Sequence, residues 1–441
     1  MQVDGTIYAG ENVPVKFFTT TFDQHMKTTT FYMPVKVTLD SLSEFVNVSL
    51  GISEHVPFNF LYQDEFIRYT TLDRWLKKKG ISKETTIELE YTPAFEIEAG
   101  NNFPHDDWVS VIRRLPIPSD ASGDATQHPY LTGSYDRCWR IWRGDECLHV
   151  GAGHTSAIKS ASIISASEGL LGKRKRSGVD CQFATGAKDG SVIVWQYSGG
   201  RCKEVHKFAG TESVDTVAVH GDGSLLCSGG WDKLLRIWTL DRLQEDMEKG
   251  DVGRQQYLHC GLQGHSRAIL ASAWSQDHRA RVFSTGLDGS VRTWDVMQKA
   301  PIMTMTSDAS AAYCLSVRKA SGGDLLLTGH TDNKVRLWDT RSPTACTAFA
   351  GHKGFVYGVT WNALSTDAVS EKGLRFTSAS EDCTLNVWDI RGGSPLATIS
   401  EHSDGILCVE WMGDGVLMTG SKDNTVKSCN LKSDQRPQSS A

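Results

Sequence analysis

The stretch Ser378–Trp388, SASEDCTLNVW, decides the fold, because variants of it return along most of the chain. A small residue closes one strand, Asp382 occupies a tight turn, and an alternating strand runs from Thr384 to Trp388. The phrase reappears as SYDRCWRIW at Ser134–Trp142, AKDGSVIVW at Ala187–Trp195 and GWDKLLRIW at Gly230–Trp238. It continues as LDGSVRTW at Leu287–Trp294, TDNKVRLW at Thr331–Trp338 and a degraded SKDNTVKSC at Ser421–Cys429. The turn aspartates are Asp136, Asp189, Asp232, Asp288, Asp332, Asp382 and Asp423, spaced by 53, 43, 56, 44, 50 and 41 residues. A floor of about forty with irregular excess fits four-stranded blades joined by variable loops. An all-β seven-bladed propeller follows.

Composition narrows the class. With 39% hydrophobic and 22% charged residues the 441-residue chain reads as soluble, globular and large enough for two domains. No apolar run approaches membrane-spanning length, and the N-terminus lacks a secretory core, so neither a membrane partner nor secretion is expected. A net charge of −6 argues against a general nucleic-acid binder while leaving room for a local basic patch. The 11 cysteines include no CxxC pair; Cys138, Cys227, Cys314 and Cys408 read as buried thiols in a reducing compartment.

Residues 13–91 lack the repeat. Two strands (VPVKFFTT and TTTFYMPVKVTL), a helix, two short strands, an amphipathic turn at Leu72–Lys78 and a last strand, TTIELEYT, follow in order. Ser41 and Glu44 have the spacing of a capping box for the helix. This order fits a small α/β ubiquitin-like roll or another small α/β fold. The domains are then 1–92, a propeller over 93–434, and a disordered tail, 435–441. The seventh repeat lacks an outer strand of its own, so strand 95–99, in which Phe95, Ile97 and Ala99 alternate with acidic residues, is expected to close the ring.

Serine, histidine and aspartate recur in a triad-like set: His265, Ser284, Asp288 with Trp294, and His352, Ser378, Asp382 with Trp388. A nucleophilic site needs one such set beside one pocket. Repetition blade after blade predicts a structural network instead, with no catalytic residue. The third and fifth blades lack the Gly-His phrase and are expected to rely on packing. No nucleotide or metal motif appears, so no cofactor of the protein's own is expected. The basic run Lys173, Arg174, Lys175, Arg176 in an inserted loop reads as an import signal, an RNA or acidic-partner contact, or a solvated loop. Insertions at Asp241–Gln256 and Ser365–Gly373 also interrupt the spacing. Glu84 falls in an exposed loop between Gly80 and the strand beginning at Ile87. Taken alone it is a solvent carboxylate; an open coordination position on a partner's hard cation would give it a specific role.

PVKFFTT, VPFNFLYQDEFIRYTTLDRWLKKKGISKETTIELEYTPA and the repeats together resemble the eukaryotic ribosome-biogenesis WD-repeat protein of the PeBoW-type complex, with an N-terminal ubiquitin-like domain. A sister factor resembling Notchless shares the domain order, but SYDRCWRIW and DECLHV at Asp145–Val150 favour the PeBoW member. The resemblance implies a non-enzymatic assembly factor of the large (60S) ribosomal subunit in nucleolus and nucleoplasm. Its propeller would bind a Bop-type WD-repeat protein, itself joined to a Pescadillo-type protein, in the pre-60S particle, with rRNA as a candidate contact. Its ubiquitin-like domain would dock on the midasin AAA ATPase, where Glu84 would complete the shell of a partner-bound magnesium; Glu88 and Glu90 are weaker candidates. ATP-driven pulling would then release the factor. The alternative is an RNA-binding or ubiquitin-pathway WD-repeat adaptor.

Overall fold

The computed structural model describes residues 2–3, 6–7, 11–19, 26, 29–52, 56–63, 65–67, 71–93, 96–115, 128–165, 180–241, 243, 257–278, 280–306, 310–320, 322–362, 375–413 and 415–432. The basic run at 173–176, the insertion at 365–373, most of 241–256, Phe95 and the tail lie outside them.

After a two-residue pair, β1 (Gln2–Val3) and β2 (Thr6–Ile7), the small domain begins with β3 (Asn12–Phe18). Its alternate residues Val13, Val15 and Phe17 are buried, as a strand with one wet face requires. β4 (Thr30–Pro34), α1 (Leu39–Leu50), β5 (Phe58–Tyr62), β6 (Glu65–Phe66), α2 (Leu72–Lys79) and β7 (Ile87–Pro93) follow. The sheet order is β4-β3-β7-β5-β6, with β3 and β7 parallel in the middle. Val46 and Leu42 of α1 pack with Trp75 and Leu76 of α2 over Phe17, Phe60 and Leu89, in the order of a ubiquitin-like roll. The helix starts earlier than the Ser41 box predicts. Thr38 is the N-cap, its hydroxyl accepting from the Ser41 N–H at 3.2 Å, and Ser41 is buried in the first turn.

β8 (Glu96–Pro104) leaves the small domain and becomes the outer strand of the last propeller blade, antiparallel to Thr425–Lys432, from Glu96↔Lys432 to Pro104↔Thr425. It is longer than the 95–99 strand expected. Seven four-stranded sheets follow around a ring, whose innermost strands are 109–114, 158–165, 214–219, 269–274, 312–320, 356–361 and 406–413. Each neighbours the next, and the seventh neighbours the first. The cores lie between blades, for example Trp139 and Ile141 of the first against Phe183 and Ile193 of the second.

The turns explain why the repeat is legible. In all seven, the residue after the aspartate is left-handed, with φ of 71° at Arg137, 81° at Gly190, 66° at Lys233, 71° at Gly289, 66° at Asn333, 63° at Cys383 and 65° at Asn424. The aspartate offsets that cost by accepting the N–H two residues on, as at Cys138 (2.8 Å), Ser191 (3.0 Å) and Thr384 (3.0 Å). The 11 cysteines are free thiols. Burial pushes Cys227 up to about 11 and Cys314 and Cys408 up to about 12, whereas Cys138 is only half-buried.

Candidate functional site

The triad-like residues meet in the structure, in a form that excludes catalysis. His265 contacts Asp288 through Nδ1 at 2.9 Å and Ser284 Oγ through Nε2 at 2.7 Å, and Trp294 Nε1 donates to the same hydroxyl at 2.8 Å. His352 repeats this with Asp382 at 3.1 Å and Ser378 at 2.7 Å, and Trp388 donates to Ser378 at 2.7 Å. Ser284 and Ser378 are fully buried, so no substrate reaches either oxygen. His154 with Asp189 and Thr185, and His402 with Asp423 and Thr419, build the same clasp. Burial holds His154, His352 and His402 below the ordinary imidazole range against the pull of their aspartates. Burial raises Asp288, but the hydrogen bonds from His265 and Ser290 outweigh it and leave the carboxyl low.

Blades one, three and five clasp their aspartates differently. Arg140 reaches Asp136 at 2.6 Å, Arg236 reaches Asp232 at 2.5 Å, and Arg336 reaches Asp332 at 2.6 Å. The fifth blade does have an imidazole, supplied from within a strand: His330 meets Thr328 Oγ1 at 2.7 Å and Ser310 Oγ at 3.2 Å. Packing alone therefore does not replace the missing Gly-His phrases. The spacing D-x-x-x-R was the available signal, although Arg292 shares it and lies instead over the Trp294 ring at 5.9 Å, because His265 already occupies Asp288.

On the face carrying these turns, side chains from six blades surround the channel mouth. Trp108 packs against Tyr135 at 5.2 Å, and Tyr313 against Tyr357 at 5.2 Å and Phe355 at 6.3 Å. Lys159 sits 4.7 Å from the Tyr135 ring, and Lys422 lies 5.3 Å from Trp108 and 5.0 Å from Tyr357. Trp108, Phe355 and Trp231 are exposed. Burial pushes Asp215, at the same mouth, up to about 6 against the pull of Lys159, and its Oδ2 has no partner among the described residues. Sequence reading missed this aromatic and charged rim, since its members come from different blades.

The small domain presents its own candidate. Gly80 closes α2 at φ 66°, and a turn from Ser82 to Thr85 leads into β7. Lys83 in that turn is paired with Glu11, while Glu84 is exposed and its carboxylate has no partner among the described residues. Glu88 faces water near Lys16. Glu90 does not, being buried against Arg391 at 3.3 Å. Among the described residues no group of three His, Cys, Asp or Glu side chains converges as a metal site, and no helix is long and apolar enough to cross a membrane.

Comparisons with known proteins complete the picture. The family model of the NLE (NUC135) domain matches residues 13–76, and that of the WD domain, G-beta repeat, matches 145–196, 202–239, 255–295, 300–339, 344–389 and 393–428. Each WD match spans one blade's outer strand and the inner strands of the next, so the sequence repeat is one strand out of phase with the blade. The chain is 28% identical to the ribosome biogenesis protein WDR12 homolog of Nematostella vectensis, over 94% of this chain and 98% of the relative. It is 31% identical to the homolog of Chlamydomonas reinhardtii (86% and 88% covered) and to that of Oryza sativa subsp. japonica (89% and 90% covered).

Proposed function

Because the chain belongs to the family of WDR12-type ribosome-biogenesis WD-repeat proteins with an N-terminal NLE domain, we propose that it is an anchor and a handle in one molecule. It is a non-enzymatic assembly factor in ribosome biogenesis. The propeller is the anchor: it holds a Bop-type WD-repeat protein, and through it a Pescadillo-type protein, in a pre-60S particle of the nucleolus and nucleoplasm. The ubiquitin-like domain is the handle. Glu84 supplies one carboxylate to a magnesium ion held by the midasin AAA ATPase, and ATP-driven pulling removes the factor from the particle.

The observation that carries this reading is the exposed carboxylate of Glu84 in a tight turn at the start of β7. A hard cation with an open position takes an oxygen ligand of this kind, and a turn on a folded domain holds it in place at little entropic cost. The anchor is supported by the rim of Trp108, Phe355 and Tyr357, because aromatic rings are enriched at the centre of protein interfaces. Strand 375–380 ends at the turn of Asp382, so its start, near which the small domain lies, is on the opposite face from that rim. The rim and the docked side of the small domain thus lie at opposite faces of the propeller.

The test is capture of the full chain by the midasin adhesion domain with and without magnesium. Wild type is captured only with the metal, and Glu84→Ala and Glu84→Gln lose capture while keeping their unfolding midpoint. Capture of Glu84→Ala at wild-type strength overturns the assignment. Separately, Phe355→Ala with Trp108→Ala weakens binding to the Bop-type propeller if the rim is the anchor.

A further inference from the structure

The small domain is fastened to the propeller by more than its covalent join. Glu90 and Thr92, two residues apart on β7, face the same side of that strand. Both Glu90 oxygens lie against Arg391 Nη1, at 3.4 and 3.3 Å, and Arg375 Nη2 donates to Thr92 Oγ1 at 3.1 Å. Arg391 is held ready by its own blade, donating from Nε and Nη2 to Asp389 at 3.0 Å. At Gly392 a Cβ would come within 2.8 Å of the Phe66 ring, so the close approach of β6 requires glycine there. All three charged side chains are at least nine-tenths buried.

These contacts stand beside the closure of the ring. Only residues 94–95 separate β7 from the ring-closing β8, about 10 Å of extended chain at most. A swing of an undocked small domain would therefore pull on Glu96↔Lys432, the first pair of the closing ladder. From that end the ladder opens one pair at a time. The contacts at Glu90 and Thr92 lie ahead of the join and intercept the motion.

We propose that Arg391 is the bolt of a latch that locks the ubiquitin-like domain to blade six through Glu90, and that the latch shields the ring-closing strand from motion of, or load on, that domain. This holds whether or not Glu84 meets a metal, and its test involves no partner.

Hydrogen exchange on the full chain, paired with small-angle scattering, decides the matter. Wild type is compared with Arg391→Ala and Glu90→Gln. In both variants amides of 96–104 and 425–432 exchange about tenfold faster or more, the radius of gyration rises, and strand 225–230 across the ring keeps its protection. If Arg391→Ala fails to fold, Glu90→Gln decides alone, since it leaves the Arg391–Asp389 pair intact. Unchanged protection of 96–104 overturns the latch, and so does an equal rise around the whole ring.

Discussion

Residues 338–341 and 388–391 read Trp-Asp-Thr-Arg and Trp-Asp-Ile-Arg, and both fold into the same local pair of arginine on aspartate. In blade five the arginine side chain is 63% exposed; in blade six it is 7% exposed, covered by the small domain. The phrase determines the pair, and what lies over it determines its weight. Water and salt screen Arg341, which contributes little; Arg391 is shared by two buried carboxylates, where screening is weak.

Removing the covered member is the strongest way to break the comparison. Arg391→Ala removes the cation that Asp389 and Glu90 share and should cost about 3–5 kcal/mol in denaturant unfolding; a loss as small as that at Arg341 would mean the small domain does not cover the pair. The next effect comes from inside blade five. Burial, then Arg336, pushes His330 down to about 4. The unfolded chain takes up this proton near 6.5 and the folded chain does not, so stability is lost as pH falls from about 6.5 to 4 and is level above that window. The full contribution is about 3 kcal/mol, read as the difference in pH dependence between wild type and His330→Gln.

Ser378→Ala comes third. It deprives Trp388 Nε1 of its partner and His352 Nε2 of its shortest contact and should cost about 1–3 kcal/mol in the same unfolding measurement. Arg341→Ala should shift stability by no more than about 0.5 kcal/mol. Glu84→Ala should leave the unfolding midpoint unchanged, its effect confined to capture by the metal-bearing partner.

Much of the ring was readable because its clasps are local. Trp388 and Ser378 stand ten residues apart on neighbouring strands, and Asp382 lies in the turn between them, so one short phrase holds most of the apparatus. The helix cap was misread by one turn's worth of choice: Thr38 and Ser41 both offer a hydroxyl, and only packing of Leu42 and Val46 selects the start. His330 was missed because it replaces the usual imidazole from another strand position, a substitution in space with no counterpart in the repeat. The rim of Trp108, Tyr135, Tyr313 and Phe355 was missed because its rings come from blades one, five and six, far apart along the chain, and Lys422 of blade seven reaches both Trp108 and Tyr357 only once the circle closes.

By itself the sequence determined the seven turns, the order of the small domain's elements and the place of Glu84 in the loop before β7, all consequences of interactions between residues near one another along the chain. Tertiary structure alone decided that Arg391 and Glu90, 301 residues apart, would share a buried contact. The reason is physical: a turn is stabilised by its own hydrogen bonds, whereas the worth of a charge pair depends on the dielectric around it, and that is set by whatever surface comes to rest on top.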